Sequence, residues 1–147
     1  MKKILISACL LGQPCRYDGK SKTYQEIDTL KKFAHLVPFC PEEAGGLPTP
    51  RPPCEIKDGK VLTKEGLDYT SFFLRGASLA VKYCQEEQIT LALMKENSPS
   101  CGVHYRYNGH FCGQKISASG LSTQALQKIG INVFSEDELD KLIKEVL

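Results

Sequence analysis

The chain has 147 residues, a length that suits one domain with its own hydrophobic core. Hydrophobic residues make up 41% and charged residues 24% of the sequence, and 19 basic residues against 17 acidic ones leave a net charge of +2. This balance argues against a general nucleic-acid-binding or membrane-binding surface, and no apolar stretch approaches the roughly 20 residues of a membrane-spanning helix. The sequence therefore predicts a single globular domain over residues 1–147.

The amino terminus, MKKILISACLLGQP, places two lysines before a short apolar run, as a signal peptide does. The run breaks at Gly12, however, and no small-residue cleavage site follows it. We therefore interpret residues 4–8 as a buried first strand and predict a cytoplasmic protein. In that compartment cysteines stay reduced, so the seven cysteines favour metal binding or thiol chemistry over disulfides.

Further along the chain, apolar spacing predicts a helix over residues 23–33 and a second strand over 36–39. A segment dense in proline and glycine follows, EEAGGLPTPRPPCE, which predicts a stiff irregular loop. The residues after it indicate a β-hairpin that turns at Asp58-Gly59.

The second half predicts a long helix over residues 69–87, a strand over 90–94, a helix over 122–129 and a strand over 131–134. A second hairpin is expected to turn at Asn108-Gly109, a favoured two-residue turn. Ser135 with Glu138 forms a capping box for the last helix. Together these elements predict a three-layer α/β fold with a mostly parallel, Rossmann-like sheet and two β-hairpin excursions.

Three cysteines, Cys9, Cys40 and Cys101, each follow the carboxyl end of a predicted strand. In an open parallel sheet the carboxyl ends of the strands open into one crevice, where ligands bind. The three thiols are therefore expected to converge. Three thiolates in one pocket indicate a metal centre with one position left free.

The other four cysteines have weaker signals. Cys84 lies on the apolar face of the long helix and is expected to be a core thiol. Cys112 is expected to be structural, and Cys54 is expected to serve packing rather than ligation. The role of Cys15, near Cys9 in sequence, stays open. The type of centre stays open too, because thiolates suit zinc, copper or iron–sulfur, and a metal-free cysteine enzyme also fits.

Several long motifs carry a resemblance: SACLLG with RYDG, CPEEAGGLPTPRPPCEI, GLDYTSFFLRGA and LMKENSPSCG. They resemble a small bacterial family long known as a domain of unknown function, which includes the thiouracil desulfurases. The resemblance covers nearly the whole chain. This chain departs from the family pattern at Cys15 and Cys54, where other residues are expected, and in the segment SASGLST, which is less rich in glycine.

The resemblance implies a [4Fe-4S] cluster held by Cys9, Cys40 and Cys101, with the fourth iron open to the sulfur of the substrate. It also implies that Glu42 is catalytic, and that Ser98 or Ser100 takes part. The implied reaction is the non-redox desulfuration of thiouracil to uracil and sulfide, in which Glu42 activates water. Glu43 is the expected solvent-facing neighbour.

The expected partner is a small thiolated nucleobase or nucleoside, because a nucleic acid would call for a basic patch that the sequence lacks. Substrate-binding candidates from sequence proximity are Tyr17, Asp18, Lys95 and Asn97. Arg51, between Pro50 and Pro52, is expected to bind an anion or a carboxylate of the fold, and the structural role is favoured. Two alternatives remain open at this point. One is a cluster-free sulfur carrier that forms a persulfide on Cys101 or Cys15, and the other is a zinc-binding module without catalytic activity.

Overall fold

The computed structural model describes residues 1–20 and 24–147. Two short 3₁₀ segments lie at Ala8–Leu11 and Glu136–Glu138. The strands of the described residues are β1 (Lys2–Ser7), β2 (Ala34–Phe39), β3 (Cys54–Lys57), β4 (Lys60–Thr63), β5 (Leu91–Met94), β6 (Tyr105–Tyr107), β7 (Lys115–Ser117) and β8 (Asn132–Ser135). The helices are α1 (Gln25–Lys31), α2 (Pro41–Ala44), α3 (Thr70–Glu87), α4 (Leu121–Lys128) and α5 (Leu139–Val146).

The central sheet has four parallel strands in the order β2-β1-β5-β8. Strand β1 lies inside the sheet, where its uncharged ILIS run is buried on both faces, as parallel strands require. The chain passes from β1 to β2 on one side and later returns to β5 on the other side of β1. This reversal creates a switch point, and a crevice is expected at the carboxyl ends of β1 and β5.

Helices cover both faces of the sheet. Ile4 and Ile6 of β1 pack in a core that includes residues of α1 and α5. Leu5 points the opposite way, into a second core that includes residues of α3 and α4. The predicted three-layer α/β fold with a mostly parallel sheet and two hairpins is confirmed.

The first hairpin, β3–β4, turns at Asp58 and Gly59, both with positive φ (51° and 77°), as predicted. The predicted two-residue turn at Asn108-Gly109 is wrong, because β6 ends at Tyr107 and β7 begins at Lys115. Tertiary hydrogen bonds explain the longer loop. The Glu55 carboxylate accepts from the backbone N–H groups of Gly109 (3.0 Å) and Phe111 (3.2 Å), so this loop binds the first hairpin instead of closing on itself.

Other boundaries differ modestly from the prediction. Helix α1 is shorter than residues 23–33, and Thr23 lies outside the described residues. Helix α2 was not predicted; Pro41 occupies its first turn, where the fixed φ of proline suits a helix start. The Ser135 capping box is present and begins the 3₁₀ turn that leads into α5. None of the helices in the described ranges has the length and apolar character needed to cross a membrane.

Two glycines allow α2 and α3 to lie backbone against backbone. A Cβ on Gly76 would stand 2.0 Å from the backbone oxygen of Pro41, and a Cβ on Gly45 would stand 2.0 Å from that of Phe72. Any other residue at either position would therefore separate the helices. Because Pro41 lies between Cys40 and Glu42, this contact also fixes two candidate site residues.

Candidate active site

A cavity of about 470 Å³ opens at the carboxyl end of the sheet. Its walls come from the loops that follow β1, β2 and β5, from the proline-rich loop before β3, and from the β6–β7 loop. This is the crevice that the switch point predicts. Its volume lies in the range of about 300–1,000 Å³ that is typical of small-molecule sites.

The three cysteines predicted at strand ends all line this cavity. Cys9 lies in the 3₁₀ turn after β1, Cys40 precedes α2, and Cys101 is buried in the turn after β5. Cys15 lines the cavity as well. Ligand atoms of Cys15, Cys40 and Glu43 lie within 4.8 Å of one another, so the tightest group of metal-ligating atoms among the described residues includes Cys15.

Burial and mutual contact raise the pKa of three of these thiols, those of Cys15, Cys40 and Cys101. Burial raises the pKa of Cys101 to about 12, against the hydrogen bonds from Ser7 and Ser100, which lower it. Contact with Cys15 and burial raise the pKa of Cys40. Contact with Cys40 lowers the pKa of Cys15, but contact with Cys9 and burial raise it, which leaves about 11. A metal that binds here must therefore displace protons.

Glu42 is held on both of its carboxylate oxygens. Arg51 donates from Nε to Oε1 at 2.9 Å, and Ser100 donates from Oγ to Oε2 at 2.7 Å. The Ser98 hydroxyl is a more distant donor to Oε2, at 3.4 Å. Glu43 is exposed, as predicted, whereas Glu42 keeps only a small exposed fraction that faces the cavity. Of these two neighbouring carboxylates, Glu42 is therefore the one that lines the cavity.

Arg51 binds a carboxylate of the fold, as its position between two prolines suggested, and that carboxylate is Glu42. Its side chain is 3% exposed, and besides Glu42 it donates to the backbone oxygens of Cys15 (2.8 Å) and Pro48 (3.1 Å) and to Thr49 Oγ1 (2.8 Å). Burial lowers the pKa of Arg51, but the Glu42 carboxylate more than compensates and the net pKa is raised. An arginine inside a stiff run of prolines was the one sequence signal that pointed to a fixed, oriented guanidinium.

The two candidate serines bond to each other, with their Oγ atoms 2.9 Å apart, but they differ in their other contacts. Ser98 Oγ accepts from the backbone N–H groups of Ser100 and Cys101, both at 3.0 Å, which is the bonding of a turn cap. Ser100 Oγ lies 2.7 Å from Glu42 and 3.5 Å from the sulfur of Cys101. Of the two, Ser100 joins the carboxylate to a candidate ligand.

Three of the four substrate-binding candidates line the cavity: Tyr17, Lys95 and Asn97. Asp18 does not belong to the cavity wall; its carboxylate accepts from the backbone N–H of Lys20 at 2.9 Å and stabilises the loop. The predicted role of Asp18 in substrate binding is therefore unsupported by its position. Lys95 is paired with Glu136 at 2.6 Å, which neutralises its ammonium group.

Sequence reasoning missed Glu96, which is buried beside the cavity. Its Oε1 accepts from three backbone N–H groups, those of Val103, His104 and Tyr105, at 2.6–3.0 Å. This carboxylate fixes the loop that follows Cys101. The only signal in the sequence was an acidic residue just after the predicted strand over residues 90–94.

The remaining cysteines divide between core and surface. Cys84 is buried in the core, as predicted. Cys112, which was expected to be structural, is exposed in the β6–β7 loop, where its sulfur accepts from Asn108 Nδ2 at 3.4 Å. Cys54 packs beside a small core and also lines the cavity, with its thiol 3.7 Å from the Pro52 oxygen.

Comparison with known proteins agrees with this geometry. A family model described as 2-thiouracil desulfurase matches residues 4–138. The uncharacterized protein YbbK of Bacillus subtilis (strain 168) is 39% identical over 150 residues, which cover 95% of this chain and 99% of that protein. A solved structure, the [4Fe-4S]-dependent thiouracil desulfidase TudS, matches with a TM-score of 0.94 and 50% identity, over 99% of this chain and 97% of that one. The chain therefore belongs to the 2-thiouracil desulfurase family of enzymes.

Proposed function

We propose that this chain is an iron–sulfur-dependent desulfurase that converts a thiolated pyrimidine, such as thiouracil, into the oxo-pyrimidine and sulfide. The observation that carries the proposal is the position of Glu42, which is bound to Arg51 and Ser100 in the same cavity as Cys9, Cys40 and Cys101. Family membership and the 50% identity to TudS, a [4Fe-4S]-dependent thiouracil desulfidase, support it.

The residues of the cavity fit a [4Fe-4S] cluster. Thiolates are the ligands of such clusters, and three thiols from three strand ends line one cavity. Each of the seven cysteines is a free thiol, so no disulfide competes for these sulfurs. Cys9, Cys40 and Cys101 would hold the cluster. Bound there with one iron free of cysteine, it would supply a Lewis acid that draws electrons from the carbon of the C=S group.

The protein groups supply the proton chemistry. Glu42 accepts a proton from a water molecule, whose oxygen forms the new bond to the ring carbon as the C–S bond breaks. Arg51 keeps the carboxylate oriented through Oε1, which leaves Oε2 to share protons with Ser100. The balance is C=S plus water to C=O plus hydrogen sulfide, with no change in oxidation state.

The cavity favours a free base or a nucleoside over a polynucleotide. Its volume of about 470 Å³ suits a small molecule. Lys95, which follows β5 and lines the cavity, is already paired with Glu136. The net charge of the chain is only +2, so little positive charge is offered to a phosphate backbone. Seven unpaired thiols also favour a reducing compartment, and for this reason we place the protein in the cytoplasm as part of the proposal.

The test begins with anaerobic reconstitution, with iron and sulfide counted per chain for wild type and for Cys9→Ser, Cys40→Ser and Cys101→Ser. We expect about four irons and a broad brown absorption in wild type, and failure to hold them in each variant. A colourless protein with one zinc per chain would instead support the zinc-binding module. Activity that survives removal of iron and is lost on alkylation would support the persulfide carrier.

The second step assays 2-thiouracil and 4-thiouracil with Glu42→Gln and its matched control, Glu43→Gln. We expect Glu42→Gln to keep its iron but lose activity by at least about 10²-fold, because a general base typically contributes 10²–10⁴-fold. Glu43→Gln should reduce activity far less than Glu42→Gln, because the Glu43 side chain is exposed and does not line the cavity, although its carboxylate lies near Cys15 and Cys40. Equal effects of the two substitutions would contradict the role of Glu42.

A further inference from the structure

One aromatic residue of the cavity wall has no part in the packing of the fold. The aromatic residues that line the cavity are Tyr17, Phe39, Tyr107 and Phe111. Phe39 also packs against the core that includes residues of α3 and α4, and its ring lies 6.3 Å from that of Tyr83. Phe111, which is half-buried in the β6–β7 loop, joins none of the three apolar cores found among the described residues. Phe111 therefore serves the cavity wall rather than a core.

The backbone of Phe111 has a conformation that aromatic residues rarely adopt. Its φ is +52°, in the left-handed region. Two other residues with positive φ, Asp58 and Gln88, lie in a tight hairpin turn and at the end of α3, where left-handed residues commonly occur. Phe111 occupies neither kind of position. Strain of this kind persists only where the surrounding structure imposes it, and it is concentrated at functional sites.

Glu55 is the residue that imposes this conformation. Its Oε1 accepts from the N–H of Gly109 at 3.0 Å and from the N–H of Phe111 itself at 3.2 Å. Gly109 lies so close to β3 that a Cβ there would stand 2.5 Å from the Ile56 oxygen. Glu55 also lines the cavity, so one residue of the wall holds another. The loop is thus fixed to the first hairpin both at Phe111 and just before it.

We propose that the ring of Phe111 binds the substrate by stacking on the face of the thiolated pyrimidine, and that Glu55 is the positioning residue that holds this ring in place. The inference rests on the proposed function and names the feature of the substrate that is recognised, a planar aromatic ring. Every nucleobase has a π-face, so stacking needs no particular pattern of ring substituents. A saturated ring with the same thiocarbonyl group lacks that face and loses the contact.

The contact is made to the face of the ring and not to the bond that breaks. Its strength is therefore nearly the same in the bound substrate and in the transition state, and its loss raises KM while kcat stays nearly unchanged. This separates Phe111 from Glu42, because loss of a general base lowers kcat.

The first test measures KM and kcat for 2-thiouracil and for 5,6-dihydro-2-thiouracil in reconstituted wild type, Phe111→Ala and the matched control Phe33→Ala. Phe33 is 39% exposed and does not line the cavity. We expect Phe111→Ala to raise KM for 2-thiouracil by about 5–150-fold, the factor that base–aromatic stacking contributes, and to raise it much less for the dihydro compound. Phe33→Ala should match wild type. An unchanged KM in Phe111→Ala, or an equal rise for both compounds, would overturn the proposal.

A second variant, Phe111→Gly, separates binding from folding, because glycine adopts the left-handed region readily. We expect it to unfold in urea at or above the wild-type midpoint, since the strain is removed and no core contact is lost. Its KM for 2-thiouracil should rise as in Phe111→Ala. A wild-type KM in this variant would refute the stacking contact.

The role of Glu55 is tested in two backgrounds. Glu55→Ala should raise KM for 2-thiouracil in wild type but not in Phe111→Gly, because Glu55 acts through the ring. Glu55→Gln, which keeps an acceptor oxygen, should lie between wild type and Glu55→Ala. An equal rise in both backgrounds would refute the positioning role.

Binding of uracil separates this inference from the proposed function, since uracil has the ring face but no C=S group. If wild type does not convert 2-thiouracil at all, the proposed function fails, and calorimetric titration with uracil then decides the inference alone. A weaker Kd in Phe111→Ala than in wild type would support stacking. Equal Kd values, or no binding of uracil to wild type, would overturn it.

Discussion

The contact between α2 and α3 offers a direct test of how the fold positions the site. In Gly76→Ala the new Cβ would stand 2.0 Å from the Pro41 oxygen, whereas ordinary contact begins at 3.4 Å. The helices must therefore separate by about 1.4 Å. Alanine gains about 1 kcal/mol as the better helix former, but overpacking costs about 1–3 kcal/mol. Because the contacted atom is backbone, we expect the upper end and a net loss of about 2 kcal/mol.

The same displacement moves Cys40 and Glu42, which flank Pro41. A misplacement of about 1 Å can lower turnover by about 10²-fold, so we expect a loss of that order together with weaker iron retention. The measurements are the free energy of unfolding in urea, iron per chain and turnover of thiouracil. Ser78→Ala, at an exposed position of the same helix, is the control and should change stability by less than about 0.5 kcal/mol. If Gly76→Ala matched this control in all three measurements, the contact would not position the site.

Three further substitutions test the contacts around the carboxylate and in the core. Arg51→Lys should lower the unfolding free energy by about 2–3 kcal/mol, and a double-mutant cycle with Glu42→Gln should show coupling of at least about 1 kcal/mol; additive effects would contradict the pairing. Ser98→Ala should lower mainly stability, by about 1–2 kcal/mol, and Ser100→Ala mainly turnover, and the reverse pattern would exchange their roles. Burial raises the pKa of Cys84 from 9 to about 11, so as pH rises the thiol loses its proton in the unfolded chain before it does so in the folded one. The free energy of unfolding should therefore fall by up to about 2–3 kcal/mol between about pH 9 and pH 11. Urea unfolding of the metal-free protein checks this, because Cys84→Ala should remove that part of the pH dependence.

The convergence of Cys9, Cys40 and Cys101 on one cavity was predictable, because it needs only the strands and their parallel arrangement. Each cysteine follows a short apolar run, and the carboxyl ends of parallel strands share one edge of the sheet. The core position of Cys84 was predictable for a similar reason, since helical spacing alone places it on the apolar face. Local patterns suffice where the site is built from regular elements.

The second hairpin shows where local patterns fail. Asn108-Gly109 is a strong turn signal, but the Glu55 carboxylate binds two backbone N–H groups of the loop. Hydrogen bonds to a charged group contribute about 1.5–3 kcal/mol each, which exceeds the preference for one turn type. Glu55 lies more than fifty residues earlier in the chain, so no local window contains this interaction. The exposure of Cys112 follows from the same loop.

The partner of Glu42 was hidden for a related reason. Arg51 lies only nine residues away, but the intervening proline-rich loop has no periodicity from which its path could be read. The loop folds over the cavity and is tied to the segment after β1, where the Arg51 N–H donates to the Tyr17 oxygen at 2.8 Å. The assignment of Ser98 and Ser100 needed the same information, since both fit a turn cap by sequence.

One guanidinium links the Glu42 carboxylate to the loop that follows β1. Arg51 donates from Nε to Glu42 and from Nη2 to the Cys15 oxygen, so these two residues cannot move independently. Lysine would keep the charge but has no planar fork to hold both partners. We therefore expect Arg51→Lys to reduce turnover and also to speed the labelling of the buried Cys15 by iodoacetamide in the metal-free protein. Ser100→Ala should reduce turnover alone, and if iodoacetamide labelled Cys15 no faster in Arg51→Lys than in wild type, the carboxylate and the loop would be independent parts of the site.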